Sequence, residues 1–194
     1  MKNIFEQGEF ISFSTIKLDD AQKPIMESNQ FAKTTTVFIS HKHDDLDDLK
    51  GIIGFLEKTY GVKAYIDSRD SSLPRKTSGE TASNIKNRII KCDKFILLAT
   101  NGAIESKWCN WELGFGDAKK YNEHLALFPM KPKGNTDSMY KGSEYMEIYP
   151  SIVKRDYGDK YSNGNAITPG YYIRTKKQDG TIEIESLQEW FNKR

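Results

Sequence analysis

The chain has 194 residues, 37% hydrophobic and 29% charged, which is typical of one globular domain with a sizeable core. The formal net charge of +2 disfavours a dedicated nucleic-acid binder, because such proteins usually carry a concentrated basic face. No apolar run approaches the ~18 residues of a membrane-spanning helix, and the first residues lack the apolar core of a signal peptide. We therefore expect a cytoplasmic protein that contacts neither nucleic acid nor membrane. Its two cysteines are expected as thiols.

The first part of the chain, residues 1–33, carries the weakest pattern. Residues 10–14 alternate between apolar and polar side chains like a short strand, and the polar stretch 19–27 fits a helix. We interpret residues 1–33 as an N-terminal extension.

Strand and helix patterns alternate four times across residues 34–130. Apolar, β-branched runs predict strands, and apolar residues at helical spacing predict helices between them. The predicted strands cover residues 35–40, 62–66, 94–99 and 124–129, and residues 100–105 are predicted as a loop. Short connections in this order predict an α/β fold with a doubly wound, mainly parallel sheet.

The last part, residues 131–194, is predicted as a C-terminal extension packed on the same domain. Residues 145–150 fit a short strand or turn. Residues 171–175 and 181–184 predict a hairpin, because Asp-Gly lies in the turn between them. Residues 186–191 predict a terminal helix.

Ligands of doubly wound sheets bind beyond the carboxyl ends of the strands, where the strand order reverses. Ser40, His41, Asp67 and Thr100 lie at predicted strand ends and are candidate binding residues. Four aspartates open the helix that follows His41, and they are explained by the helix dipole: Asp44, Asp45, Asp47 and Asp48.

The helix predicted to begin at Ser106 places a carboxylate among aromatic side chains. Trp108, Glu112 and Phe115 are spaced at i, i+4 and i+7, so they share one face. Burial of this carboxyl group is expected to raise its pKa and suit it to ligand chemistry. A surface glutamate beside aromatic residues is the alternative interpretation.

Other site types match the sequence poorly. The stretch His41-Lys42-His43-Asp44-Asp45 resembles half of a binuclear metal site, but the further ligands are missing, and we predict no metal. No glycine-rich nucleotide loop is present. The cations Arg69, Arg75 and Lys76 fit either phosphate contacts or a solvated loop.

Three motifs in order resemble Toll/interleukin-receptor (TIR) domains. Val37-Phe38-Ile39-Ser40-His41 resembles their first-strand box, and residues 67–79 resemble their variable loop after the second strand. Residues 106–112, Ser-Lys-Trp-Cys-Asn-Trp-Glu, are similar to their third-helix signature S-x-W-C-x-x-E. The resemblance covers roughly residues 34–130 and implies a flavodoxin-like sheet.

The resemblance implies cleavage of the nicotinamide–ribose bond of NAD+, as in bacterial TIR proteins of anti-phage defence. The catalytic glutamate would be Glu112, Trp108 would shape the pocket, and His41 and Asp67 would border it. NAD+ would be the substrate, without a further cofactor. The chain departs from many relatives at His41-Lys42-His43, where they carry an aromatic residue or arginine.

The family also implies self-assembly through TIR–TIR contacts and a downstream effector that reads an ADP-ribose-derived signal. The product, linear, cyclic or base-exchanged, stays open. Two other functions fit the sequence: a non-catalytic TIR–TIR scaffold, and an enzyme resembling nucleoside deoxyribosyltransferases, which also use a glutamate for N-glycosidic chemistry.

Overall fold

The computed structural model describes residues 3–14, 34–66 and 79–193. The strands in these ranges are β1 (Phe5–Glu6), β2 (Thr36–Ser40), β3 (Lys63–Ile66), β4 (Lys94–Thr100), β5 (Leu125–Lys131), β6 (Ser151–Arg155), β7 (Gly170–Lys176) and β8 (Ile182–Ser186). The helices are α1 (Leu46–Tyr60), α2 (Gly79–Lys91), α3 (Asn101–Glu105), α4 (Lys107–His124), α5 (Ser143–Ile148) and α6 (Leu187–Asn192).

All strands of the described residues belong to one sheet. Its order is β3-β2-β4-β5-β6-β7-β8, and β1 pairs with β5 outside this path. The strands from β3 to β6 pair in parallel, whereas β7 and β8 pair antiparallel. The parallel part has the flavodoxin-like order, with its reversal between β2 and β4. The predicted doubly wound, mainly parallel α/β fold is confirmed.

Helices cover both faces of this sheet. One face packs against α1, the N-terminal segment and α6, and the other face packs against α2, α3, α4 and α5. Every residue of β4 and of β5 is buried, as expected for central strands covered on both sides. No helix among the described residues has the length and apolar character needed to cross a membrane.

The N-terminal segment, residues 3–14, is part of the core. The strand predicted at residues 10–14 is wrong: β1 lies earlier, and Ile11–Phe13 forms a 3-10 turn. The physical reason is that this segment packs directly against the backbone of α1, at a glycine. A Cβ added at Gly54 would lie 2.0 Å from the Phe13 carbonyl oxygen, so only glycine admits this approach. The helix predicted at residues 19–27 lies outside the described residues.

The C-terminal part extends the same sheet. The predicted hairpin is confirmed as β7 and β8, and the predicted terminal helix is confirmed as α6 with a capping box between Ser186 and Glu189. Residues 145–150, predicted as strand or turn, fall largely in α5, and β6 was not predicted. The domain boundaries at residues 33 and 130 stay a prediction.

The predicted loop at residues 100–105 is also wrong, because α3 forms there. Thr100 caps this helix by accepting a hydrogen bond of 3.0 Å from the backbone N–H of Ala103. A capping threonine satisfies one of the otherwise unpaired N–H groups of a helix start.

Candidate functional site

Helix α4 carries the glutamate and the tryptophan that the sequence singled out. Ser106 is its N-cap, as predicted, and its side chain accepts a hydrogen bond of 3.3 Å from the backbone N–H of Cys109. Trp108 and Glu112 follow one turn apart on the same face. Both line a cleft of about 180 Å³. The other lining residues are His41, Lys42, His43, Ser106 and Cys109.

Glu112 lies at the floor of this cleft and is 1% exposed. Ser40, the last residue of β2, donates its hydroxyl to Glu112 Oε2 at 2.5 Å. Hydrogen bonds between hydroxyl groups and carboxylates are short and about twice as strong as neutral ones. Because burying a carboxylate without a donor is costly, the serine both supports and orients the acid. The pair lies where the strand order reverses.

The aromatic side chains predicted to share one face of α4 lie in two different environments. The Trp108 and Trp111 rings lie 4.7 Å apart, and Trp111 stacks on Phe115 at 6.2 Å. Phe115 does not line the cleft. Trp108 is therefore the aromatic wall of the cleft, while Phe115 belongs to the packing between α2 and α4.

The loop after β2 forms the opposite rim. His41 is half-buried, and its Nδ1 lies 3.4 Å from the Ile39 carbonyl oxygen. Lys42 pairs with Asp44 at 2.9 Å, and this hydrogen-bonded ion pair raises the pKa of the lysine. The rim thus carries one imidazole contact to the backbone and one ammonium group that stays charged at neutral pH.

Thr100 lies below the cleft rather than in its wall. It is 1% exposed and donates its hydroxyl to Asp45 Oδ2 at 2.6 Å. Burial raises the pKa of Asp45, and the Thr100 hydrogen bond opposes this effect. Its role as a substrate-binding residue stays a prediction, and its observed contacts are with Asp45 and with the start of α3.

Asp45 and Asp48 do more than complement the helix dipole, because they contact the N-terminal segment. Asp48 accepts hydrogen bonds from the Gly8 N–H at 2.6 Å and from the Gln7 side chain at 3.0 Å. The Gln7 amide also reaches Asp45 Oδ1 at 3.3 Å. These hydrogen bonds connect the N-terminal segment to Asp45 and Asp48, which follow the loop that forms the cleft rim. Nothing in the local sequence connects Gln7 with residues about 40 positions later.

The structure brings Ser40, His41, Trp108 and Glu112 together. Asp67 lies outside the described residues, as do Arg69, Arg75 and Lys76, so their roles stay predictions.

Sequence reasoning missed Lys42, His43, Ser106 and Cys109 as lining residues, although each adjoins a predicted site residue or caps α4. Burial raises the pKa of the Cys109 thiol, so it is protonated at neutral pH.

Within the described residues, no group of three or more His, Cys, Asp or Glu side chains is arranged to hold a metal ion. The prediction of a site without metal or cofactor stays a prediction.

Comparisons with known proteins identify the family of the chain. A family model described as TIR domain matches residues 37–151, which is more than half of the chain. A curated relative, the "Probable 3' cyclic ADP-D-ribose synthase ThsB'" of Bacillus cereus (strain MSX-D12), is 32% identical over 124 residues. The aligned part covers 63% of this chain and 62% of that relative. The match to the relative therefore spans less than two thirds of either protein.

Proposed function

The chain belongs to the TIR domain family, and from this membership we propose that it cleaves the nicotinamide–ribose bond of NAD+. The observation that carries the proposal is the buried carboxylate of Glu112, held by Ser40 at the floor of a cleft with a tryptophan wall. A scaffold that acts only through surface contacts has no need of a buried acid at this position, since burying a charge is costly.

The chemistry of bond cleavage suits these residues. Nicotinamide leaves with the electron pair of the bond to ribose, and positive charge develops on the ribose as an oxocarbenium-like transition state. The negative charge of Glu112 stabilises this positive charge and can accept hydrogen bonds from the ribose hydroxyls. Trp108 supplies an aromatic surface that excludes water and stacks against a flat ring.

We propose a cyclic ADP-ribose as the product, as the name of the Bacillus cereus relative suggests. In this step a hydroxyl oxygen of the adenosine ribose forms a bond to the carbon that nicotinamide leaves, and the hydroxyl proton is released to solvent. Attack by water in place of that hydroxyl gives linear ADP-ribose instead. A released nucleotide of either kind would serve as the signal for a downstream effector.

We further propose that the active form is an assembly of several copies. The described part of the cleft measures about 180 Å³, below the roughly 300–1,000 Å³ of typical ligand pockets. A second copy placed over the rim would enlarge the site and cover the dinucleotide. Specific activity should then rise with protein concentration.

The test is mass spectrometry of the products after incubation of concentrated protein with NAD+. We expect wild type to release nicotinamide and an ADP-ribose product, whose mass separates the cyclic form from the linear one by one water. Glu112→Gln keeps the shape of the side chain but removes its charge, so we expect a loss of at least about 10²–10³-fold in turnover.

The matched control is Glu144→Gln, which makes the same change at an exposed position on α5 and should leave turnover unchanged. Equal turnover by wild type and Glu112→Gln would overturn the mechanism. Cleavage of deoxynucleosides in place of NAD+ would favour the deoxyribosyltransferase-like alternative.

A further inference from the structure

A second cavity, of about 440 Å³, lies at the opposite edge of the sheet from the cleft. Thr35 and Asp93, which precede β2 and β4, border it on the sheet side. The C-terminal ends of α2 and α4 form its walls. The complete lining is Thr35, Ile90, Lys91, Cys92, Asp93, Lys119, Lys120, His124 and Lys193, a set we call the basic cavity.

Positive charge predominates in the basic cavity. Four lysines and one aspartate line it, in a chain whose formal net charge is only +2. The aspartate is already engaged, because Asp93 Oδ2 accepts the Thr36 N–H at 2.9 Å and the Thr36 hydroxyl at 2.8 Å. The C-terminal ends of α2 and α4 stabilise part of this positive charge, and an anion that enters the cavity would neutralise more of it.

The four lysines differ in what they contact. Lys120 donates to the backbone carbonyls of Ile90 and Cys92, and Lys193 pairs with Glu185 at 2.6 Å. Lys91 and Lys119 are exposed and form no ion pair with any carboxylate in the described ranges of the chain. Two ammonium groups at the cavity wall are therefore available to an anion.

His124 supplies a directional donor. Its Nδ1 lies 2.7 Å from the Nζ of Lys94, which is fully buried and also lies 4.8 Å from the centre of the Trp190 ring. An ammonium group only donates, so Nδ1 must be the acceptor and the ring proton is on Nε2. The second ring nitrogen of His124 is therefore an N–H donor for a ligand.

The electrostatics around this histidine also suit an anion. Burial lowers the pKa of Lys94 to about 8, whereas the charges of Glu185, Asp93 and Glu123 oppose this effect. Burial, and then the nearby charge of Lys94, lower the pKa of His124. Lys120 acts in the same direction, whereas Glu123 and Asp93 oppose it. A bound anion would stabilise the positive charge that Lys94 and His124 share.

We propose that the basic cavity binds the phosphate groups of a small phosphorylated molecule, with Lys91 and Lys119 as charge partners and His124 as a hydrogen-bond donor. Its volume lies within the roughly 300–1,000 Å³ of small-molecule sites, so it has room for more than one phosphate group. This site is separate from the cleft and does not depend on NAD+ cleavage.

The chain offers a direct test, because its three histidines divide between the two sites. His41 and His43 line the cleft, whereas His124 lines the basic cavity. We would record imidazole resonances by NMR during separate titrations with inorganic triphosphate, ATP and adenosine at constant ionic strength. We expect triphosphate and ATP to shift the His124 resonances and to raise its pKa, while adenosine alone leaves it unchanged.

The matched variants are the doubles Lys91→Gln/Lys119→Gln and, as control, Lys133→Gln/Lys160→Gln, which alters exposed lysines outside the cavity. We expect the first to weaken triphosphate binding at His124 by at least about tenfold, because both charge partners of the anion are lost. The control should match wild type.

Three results would overturn the proposal. The His124 resonances could stay unchanged up to millimolar triphosphate, both double variants could bind triphosphate equally, or the resonance shifts could be confined to His41 and His43. Tighter binding of ATP than of triphosphate would add a contact to the nucleoside, and equal binding would assign the site to phosphate alone. None of these readings uses turnover, so they are independent of the proposed enzyme activity.

Discussion

At the carboxyl edge of the sheet, hydroxyl groups donate to buried carboxylates, whereas at the amino edge a buried lysine lies against a histidine ring and a tryptophan ring. The Ser40 hydroxyl donates a hydrogen bond of 2.5 Å to Glu112, and the Thr100 hydroxyl donates one of 2.6 Å to Asp45. Lys94 meets the His124 imidazole at 2.7 Å and the Trp190 ring at 4.8 Å. The two edges therefore stabilise buried charge in different ways.

The difference bears on what each edge can do. A short hydroxyl–carboxylate bond fixes the direction of the acid, as transition-state stabilisation requires. Burial lowers the pKa of Lys94 to about 8, and the two rings that it contacts carry no negative charge to offset this effect. The carboxyl edge is thus suited to a reaction that needs a carboxylate in a fixed direction, and the amino edge is suited to binding a negatively charged ligand.

The largest expected effect concerns Lys94 and the pH dependence of stability. Its pKa is 10.5 in an ordinary lysine and about 8 in the folded chain, so between these values the unfolded chain binds more protons. The contribution of Lys94 to the free energy of unfolding therefore rises with pH across this window, by up to about 3 kcal/mol. We expect Lys94→Met to remove this rise.

Urea unfolding at pH 7, 8.5 and 10 would measure this pH dependence. The free energy of unfolding of wild type should increase with pH relative to that of Lys94→Met. Lys160→Met, at an exposed position, should follow wild type. Parallel curves for wild type and Lys94→Met would show that the lysine is fully compensated, and the contrast between the edges would disappear.

An intermediate effect is expected at the carboxyl edge from Ser40→Ala. Loss of a hydrogen bond to a buried charge should lower the free energy of unfolding by about 2 kcal/mol. If the same geometry is needed in the transition state, turnover should fall by about 30-fold with little change in KM. Chemical denaturation and nicotinamide release would measure the two effects.

Ser40→Thr keeps the hydroxyl and should recover part of both losses. A second control is Ser151→Ala, which removes a fully buried serine hydroxyl with no hydrogen-bond partner among the described residues. That change should be neutral or stabilising. Equal losses from Ser40→Ala and Ser151→Ala would argue against a specific role for the Ser40 bond.

The smallest effect is expected at Tyr121, near the basic cavity. Its φ of 53° and ψ of 173° lie in a region that only glycine adopts easily, at a cost of roughly 1–3 kcal/mol. The side chain is 71% exposed and contributes little packing. Tyr121→Gly should raise the free energy of unfolding by about 1 kcal/mol, with a gain of about 2–4 °C in Tm.

The control is Ala118→Gly on the regular part of α4, which should lower stability by about 1 kcal/mol. A loss of stability in Tyr121→Gly as well would mean that the tyrosine side chain contributes more to stability than its backbone conformation costs.

Periodicity along the chain was enough to predict the four parallel strands β2 to β5 and the position of α4. Residues at i and i+4 share a helix face whatever surrounds the helix, so Trp108 and Glu112 could be paired before any fold was known. The hairpin and α6 followed from equally local signals, an Asp-Gly turn and a helix cap.

The sequence by itself therefore determined six of the eight described strands, four of the six described helices and one face of the cleft, because those depend on neighbours a few positions apart. Only the tertiary structure decided which groups form hydrogen bonds with the buried charged side chains. Ser40 and Glu112 are 72 positions apart, Thr100 and Asp45 are 55 apart, and Lys94 and His124 are 30 apart. Such contacts have no local periodicity, since they arise when packed strands and helices bring distant side chains together.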